Sequence, residues 1–131
     1  MANRSVSEEV RLAREQMAFA CVETRKNLVA LEQCLDAAKL FELAAKASRL
    51  VSLYARLEAD AQSDRTVRLS CLRTTARVFC DVAIKLCEAL ELVEVLESSS
   101  VAQHHMSQKL DRMGELTAQA FLLVDLHIED A

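Results

Sequence analysis

Five cysteines, three histidines and four methionines are the residues of this 131-residue chain best suited to chemistry. Cys80 and Cys87 stand one heptad apart, a spacing that puts them on one side of a helix. Cys21, Met17, Met106 and Met113 fall where apolar periodicity expects a helix interior. Thiolate and thioether sulfur are soft donors suited to Cu(I). Cys21, Cys80 and Cys87 are therefore the candidate metal ligands, set against the plainer reading of buried apolar cysteines. His104 and His105 are adjacent. Val101, Ala102 and Val124 precede the three histidines by three positions, so the Glu-x-x-His pairs of di-iron bundles are absent. A single Gly leaves no phosphate-cradling loop. Nucleophile-elbow and zinc-protease motifs are missing too.

A Cys- and Met-lined interior is similar in general shape to the cysteine-lined four-helix bundles that store copper. That likeness implies a soft-metal carrier. The chain departs from the family in having five Cys and no CxxC or CxxxC pair. The His104–His105 pair resembles the phosphorylated site of histidine phosphotransfer domains, which are also four-helix bundles. Their motif is His-x-x-Lys-Gly on a central helix. Here Ser107 and Gln108 stand where the lysine would be, and the pair lies in the first turns of the last helix.

The elements that would position these residues follow from composition. There is no Pro and one Gly, while 52% of residues are apolar. Strand-rich folds need turn residues that this chain lacks. Its net charge of −4 is too small, and its apolar content too high, for disorder. The expected fold is all-α: one domain over 1–131, an up-down-up-down antiparallel four-helix bundle with helices near 6–34, 37–62, 64–97 and 101–129. The first seam is Met17, Cys21, Thr24, Leu28, Leu31, Leu35, after a capping box of Ser5 and Glu8. The second is Leu40, Leu43, Ala47, Leu50, Tyr54, Leu57, Ala61. The third is Leu69, Leu72, Ala76, Phe79, Ala83, Leu86, Leu90, Val93, capped by Ser63 or Asp64. The fourth is Met106, Leu110, Met113, Thr117, Phe121, Val124, Ile128, capped by Ser100 with Gln103.

The first connection has no glycine. A phase slip places it near Gln33 to Asp36, with Asp36 as a possible N-cap and Asn27 as a rival stop signal. Without a break there, the first two segments merge into one very long helix, giving three helices that must dimerise. Helix three runs from basic (Arg65, Arg68, Arg73, Arg77) to acidic (Glu88, Glu91, Glu94, Glu97), against the helix macrodipole. Laid antiparallel, helix four would offer Lys109 and Arg112 to the acidic end.

Composition also narrows function. A pI near 5.4 and 4% aromatic residues argue against nucleic acid. No apolar run reaches the ~20 residues of a membrane span. The first ten residues lack a signal-peptide core, and scattered free thiols suit a reducing cytoplasm. Apolar residues beyond the seams, among them Val78, Ile84, Leu92, Val95, Leu96, Leu122 and Leu123, point to a second contact surface. The expected function is a non-enzymatic protein-interaction module: adaptor, chaperone-like or self-associating as a homodimer. Leu92, Val95, Leu122 and Leu123 are its candidate contact residues. The alternatives are a soft metal or small ligand held by Cys and Met, and, more remotely, phosphotransfer. No cofactor is expected.

Overall fold

The computed structural model describes the backbone of residues 2–61, 66–67, 69–126 and 128–129, and the side chains of residues 8–59 and 70–122. Four helices carry the described structure: α1 (Ala2–Ala37), α2 (Phe41–Ala61), α3 (Leu69–Leu92) and α4 (Ser100–Leu126). A short 3-10 turn, Val93–Val95, follows α3. Thr66–Val67 and Ile128–Glu129 form a two-residue antiparallel pairing, Thr66 opposite Glu129. α1 has 36 residues and outruns the others, at about 54 Å long. No helix among the described residues is long and apolar enough to cross a membrane.

α1 packs on α2 and α3, while α4 packs on α3 and α2. The order round the bundle is therefore α1–α2–α4–α3, and the successive helices α2 and α3 lie diagonally. Ion pairs set the directions. Arg25 of α1 reaches Glu58 of α2 at 2.7 Å, and Lys109 of α4 reaches Glu88 of α3 at 2.6 Å. Both pairs join antiparallel hairpins. Glu9 meets Arg73 near the starts of α1 and α3, and Lys46 meets Asp111 between α2 and α4. The chain thus runs up, down, up, down, but α1/α3 and α2/α4 are parallel neighbours.

The turn between α1 and α2 shows why glycine is missing there. Leu40 N–H donates to Leu35 O at 2.9 Å, and Lys39 N–H to Asp36 O at 3.0 Å. This is a Schellman cap, with Lys39 in the left-handed region at φ 62°. Asp36 lies inside α1 rather than capping α2, and α1 passes through Asn27 without stopping. The merged three-helix alternative does not occur. A non-glycine residue in that region carries a steric cost, so Lys39→Gly should raise stability by up to about 1 kcal/mol. Urea unfolding measures it; a destabilised variant would mean that the Lys39 side chain contributes more than the backbone strain costs.

Other termini shift as well. α1 begins at Ala2, so Ser5 sits within the helix rather than capping it, and Glu8 pairs with Arg11 at 2.8 Å. α4 is capped by Ser99, not Ser100: Ser99 Oγ accepts from Ala102 N–H at 3.1 Å. Gln103 Nε2 donates instead to Leu96 O at 3.0 Å, bracing the turn. Helix three starts at Leu69 and ends at Leu92, shorter at both ends than expected. Helix four stops at Leu126, and Ile128 joins the strand pairing. The Ser63 and Asp64 caps lie outside the described residues, as do the side chains of Ala61, Leu69 and Val124.

The core holds the whole first seam and most of the second and fourth. In α3 the seam is rotated. Thr75, Val82 and Ala89 are buried, whereas Ala76 and Leu90 are half-buried and Ala83 is exposed. Tyr54 of α2 and Phe79 of α3 meet across the bundle axis, ring centroids 5.8 Å apart and tilted by 53°. Gly114 faces α2, but a β-carbon there would meet Leu50 Cδ2 at an ordinary 3.9 Å. Close helix approach does not require it.

Candidate functional site

Buried polar side chains interrupt the apolar core. Thr24, Thr75 and Thr117 are buried on three helices, and Cys21 and Tyr54 are buried as well. Thr117 Oγ1 donates to Met113 O at 2.7 Å, a local bond that satisfies it. The neighbouring Tyr54 hydroxyl feels Thr117, yet neither it nor Thr75 Oγ1 has a well-formed hydrogen bond. Burial raises the Tyr54 pKa, and Thr117 offsets this only in part. A buried hydroxyl without a partner costs free energy. Tyr54→Phe should therefore leave the protein as stable or about 1 kcal/mol more stable. Loss of more than ~1 kcal/mol on chemical denaturation would show instead that the phenol is well bonded.

The cysteines are divided between core and surface. Cys21 and Cys71 are buried, and Cys34, Cys80 and Cys87 are exposed. Burial first, and the Glu58 carboxylate second, push the Cys21 thiol up to about 12. Such a thiol stays protonated at neutral pH and is a poor nucleophile. Cys80 and Cys87 open instead into a groove of about 180 Å³ between α1 and α3. Among the described residues, no three His, Cys, Asp or Glu side chains gather as metal ligands. Cys21 is thus not brought together with Cys80 and Cys87 in a ligand set.

The histidines part company on α4. His104 lines a groove shared with the start of α2, beside Lys39 and Lys46. His105 lines another, with Lys85, Lys109 and Arg112. That second groove is basic, but its cations are partnered. Glu88 holds Lys109 at 2.6 Å and Lys85 at 3.6 Å, and Glu115 holds Arg112 at 3.0 Å.

The Lys109 hydrogen bond is the main cause that holds the Glu88 carboxyl below its ordinary 4.5, against a smaller desolvation effect. With the folded value below the unfolded one, the pair stabilises at neutral pH. That contribution disappears as pH falls below about 4.5 through the lowered folded value. Glu88→Gln should be less stable than the parent near neutrality, and the gap should close toward acid. Thermal melts across that range read the difference; a gap that stays constant would contradict the linkage.

The remaining feature is exposed apolar surface. Leu12, Phe19, Phe41, Ile84, Val95, Val101 and Leu122 are the large apolar side chains left exposed among the described residues. Phe19 is 68% and Ile84 56% exposed. They stand on α1 and α3, each within one turn of residues that line the groove between those helices. That groove is floored by Phe79 and Leu86; Ala20, Glu23, Thr24 and Asn27 line its α1 side, and Cys80, Ala83, Cys87 and Leu90 its α3 side.

Among the described residues, Val95 and Leu122, two of the contact residues expected from sequence, lie toward opposite ends of α4. Leu92 is half-buried against the core, and Val95 is exposed at the α3–α4 turn. Leu122 is exposed at the far end of α4. At 1.5 Å per residue, about 30 Å of α4 separates the level of Val95 from Leu122. The Leu123 side chain lies outside the described residues. Phe19 and Leu12 lie outside the contact set expected from sequence, although their seven-residue spacing on the face opposite the first seam marks them. Comparison with protein-family models, with curated proteins and with solved structures found no match.

Proposed function

We propose that this chain is a non-enzymatic protein-interaction module that binds through an outer helix face. The observation that carries this reading is the exposure of Phe19 and Ile84 next to a largely apolar groove between two parallel helices. Isolated exposed apolar residues are ordinary on protein surfaces. Large ones flanking a groove floored by Phe79 and Leu86 suit a contact surface. A partner would gain by burying those rings and branched chains, with charges at the rim choosing orientation.

Chemistry elsewhere gives no rival of equal weight. The buried Cys21 thiol is held protonated, and His104 and His105 face separate grooves. The test compares Phe19→Lys and Ile84→Lys with the parent by sedimentation and by affinity capture. Both residues are exposed, so circular dichroism should be unchanged while association is lost. Association indifferent to both changes, or no association of the parent with anything, would overturn the proposal.

A further inference from the structure

The outward face of α3 carries a second seam, opposite the one that enters the core. It reads Arg73, Arg77, Cys80, Ile84, Cys87, Glu91 along α3, with Glu94 following in the 3-10 turn, at spacings alternating between four and three. Every one of these residues is exposed. Such spacing is that of a helix-pairing stripe. Its order is also a palindrome in chemistry: two cations, a thiol, a branched apolar residue, a thiol, two carboxylates. A stripe of that kind is complementary to itself when turned end for end.

The charges need what this pairing supplies. Cations at the start of a helix and carboxylates at its end oppose the macrodipole. Within the chain that opposition is only partly answered. Arg73 meets Glu9 at 3.3 Å, and Glu88, beside the stripe, is held by Lys109. Arg77, Glu91 and Glu94 have no ion-pair partner among the described residues. Arg112, which could have served the acidic end from α4, is occupied by Glu115.

We infer that the outer face of α3 docks a second copy of this chain, antiparallel, about a two-fold axis at Ile84. This rests on the interaction-module reading and names its partner. An isologous contact of this form sets Ile84 on Ile84. Arg77 then lies beside Glu91 of the second copy, and Cys80 beside its Cys87. Phe19 on the neighbouring crest of α1 widens the apolar part of the contact. The alternative arrangement, parallel copies, stacks like charges and is excluded by the same pattern.

The test uses the full chain at low salt. Sedimentation from about 1 to about 200 µM should show the mass rising from 14.6 kDa toward twice that value. Arg77→Glu or Glu91→Arg alone should raise the dimer Kd at least about tenfold, because each creates two repulsive pairs. The double variant restores opposite charges and should return the Kd to near the parent value. A short dimaleimide gives a second readout, in a Cys34→Ser background. Cys80→Ser chains mixed with Cys87→Ser chains should crosslink faster than either chain alone.

A strict monomer at the highest concentration, or a dimer that ignores both charge reversals, overturns the inference. If the parent is monomeric but captures a host protein in a way that Ile84→Lys abolishes, the second copy is ruled out. The interaction-module reading then stands. If neither form of association exists, both fall.

Discussion

Phe79→Ala is expected to lower the unfolding free energy by about 3–5 kcal/mol. Phe79 is 2% exposed and comes from α3, while its ring partner Tyr54 comes from the diagonal helix α2. The two rings fill the bundle axis where no pair of neighbouring helices could close it. Removing one ring forfeits its burial and leaves a cavity that four rigid helices cannot close. The tilted ring contact adds about 0.5–1.5 kcal/mol beyond area. Against a total stability of about 5–15 kcal/mol for a domain, this loss is large. Urea unfolding followed by circular dichroism measures it. A loss below about 1 kcal/mol would mean that the axis repacks, contrary to the geometry. Phe79→Leu should cost distinctly less, since most of the volume remains.

Leu96→Ala is expected to cost about 2–5 kcal/mol, and its neighbour Val95→Ala no more than about 0.5 kcal/mol. The contrast follows from the turn between α3 and α4. Leu96 is 1% exposed and Val95 is 47% exposed. The 3-10 turn over Val93–Val95 tightens the chain, and Leu96 N–H closes on Val93 O at 3.4 Å. Gln103 then holds Leu96 O from α4. Leu96 is thus a plug for the end of the bundle, continuing the buried row of Thr75, Val82 and Ala89 and braced by the turn. Equal losses for the two variants would show that the turn does not hold this orientation.

Leu96 also illustrates where periodicity loses its grip. Read along an uninterrupted helix from 64 to 97, it stands with Val95 as surplus apolar surface. The structure buries it and exposes Val95, because Leu96 lies seven residues beyond Ala89 and continues the buried row of Thr75, Val82 and Ala89. The α3 seam has a similar history. At 75/76, 82/83 and 89/90, both members of each pair are small or apolar. A rotation of about 100° separates the two choices, and the pattern suits either. Contacts with α1 on one flank and α4 on the other select Thr75, Val82 and Ala89. By contrast, α1 offers one choice: all six residues of its expected seam are buried. Leu28, Leu31 and Leu35 share that one face, which fixes the phase.

The candidate surface was partly legible. Ile84 stood out as apolar beyond the seam, and the basic-to-acidic run of α3 was visible as a charge gradient. Sequence polarity pairs this run with α4, and one such pair, Lys109 with Glu88, does form. Arg112 turns to Glu115 on its own helix, three residues away, because a neighbour on the same face is closer. What stays unanswered is the outward half of α3, and that half is the palindrome.

Local chemistry alone determined that the chain is helical and that it forms four amphipathic segments. It also determined which face of α1, α2 and α4 is apolar. Those properties depend on residues within one or two turns of each other, and sequence spacing reports such distances directly. The order α1–α2–α4–α3 lies beyond that range, as does the choice of seam on α3. Both depend on how faces from distant segments fit at once. The glycine-free turn belongs with them: Lys39 takes the left-handed conformation because packing on both sides of the Schellman cap outweighs its strain. Spacing describes each helix against an unspecified core. The core itself exists only once the other three helices occupy it.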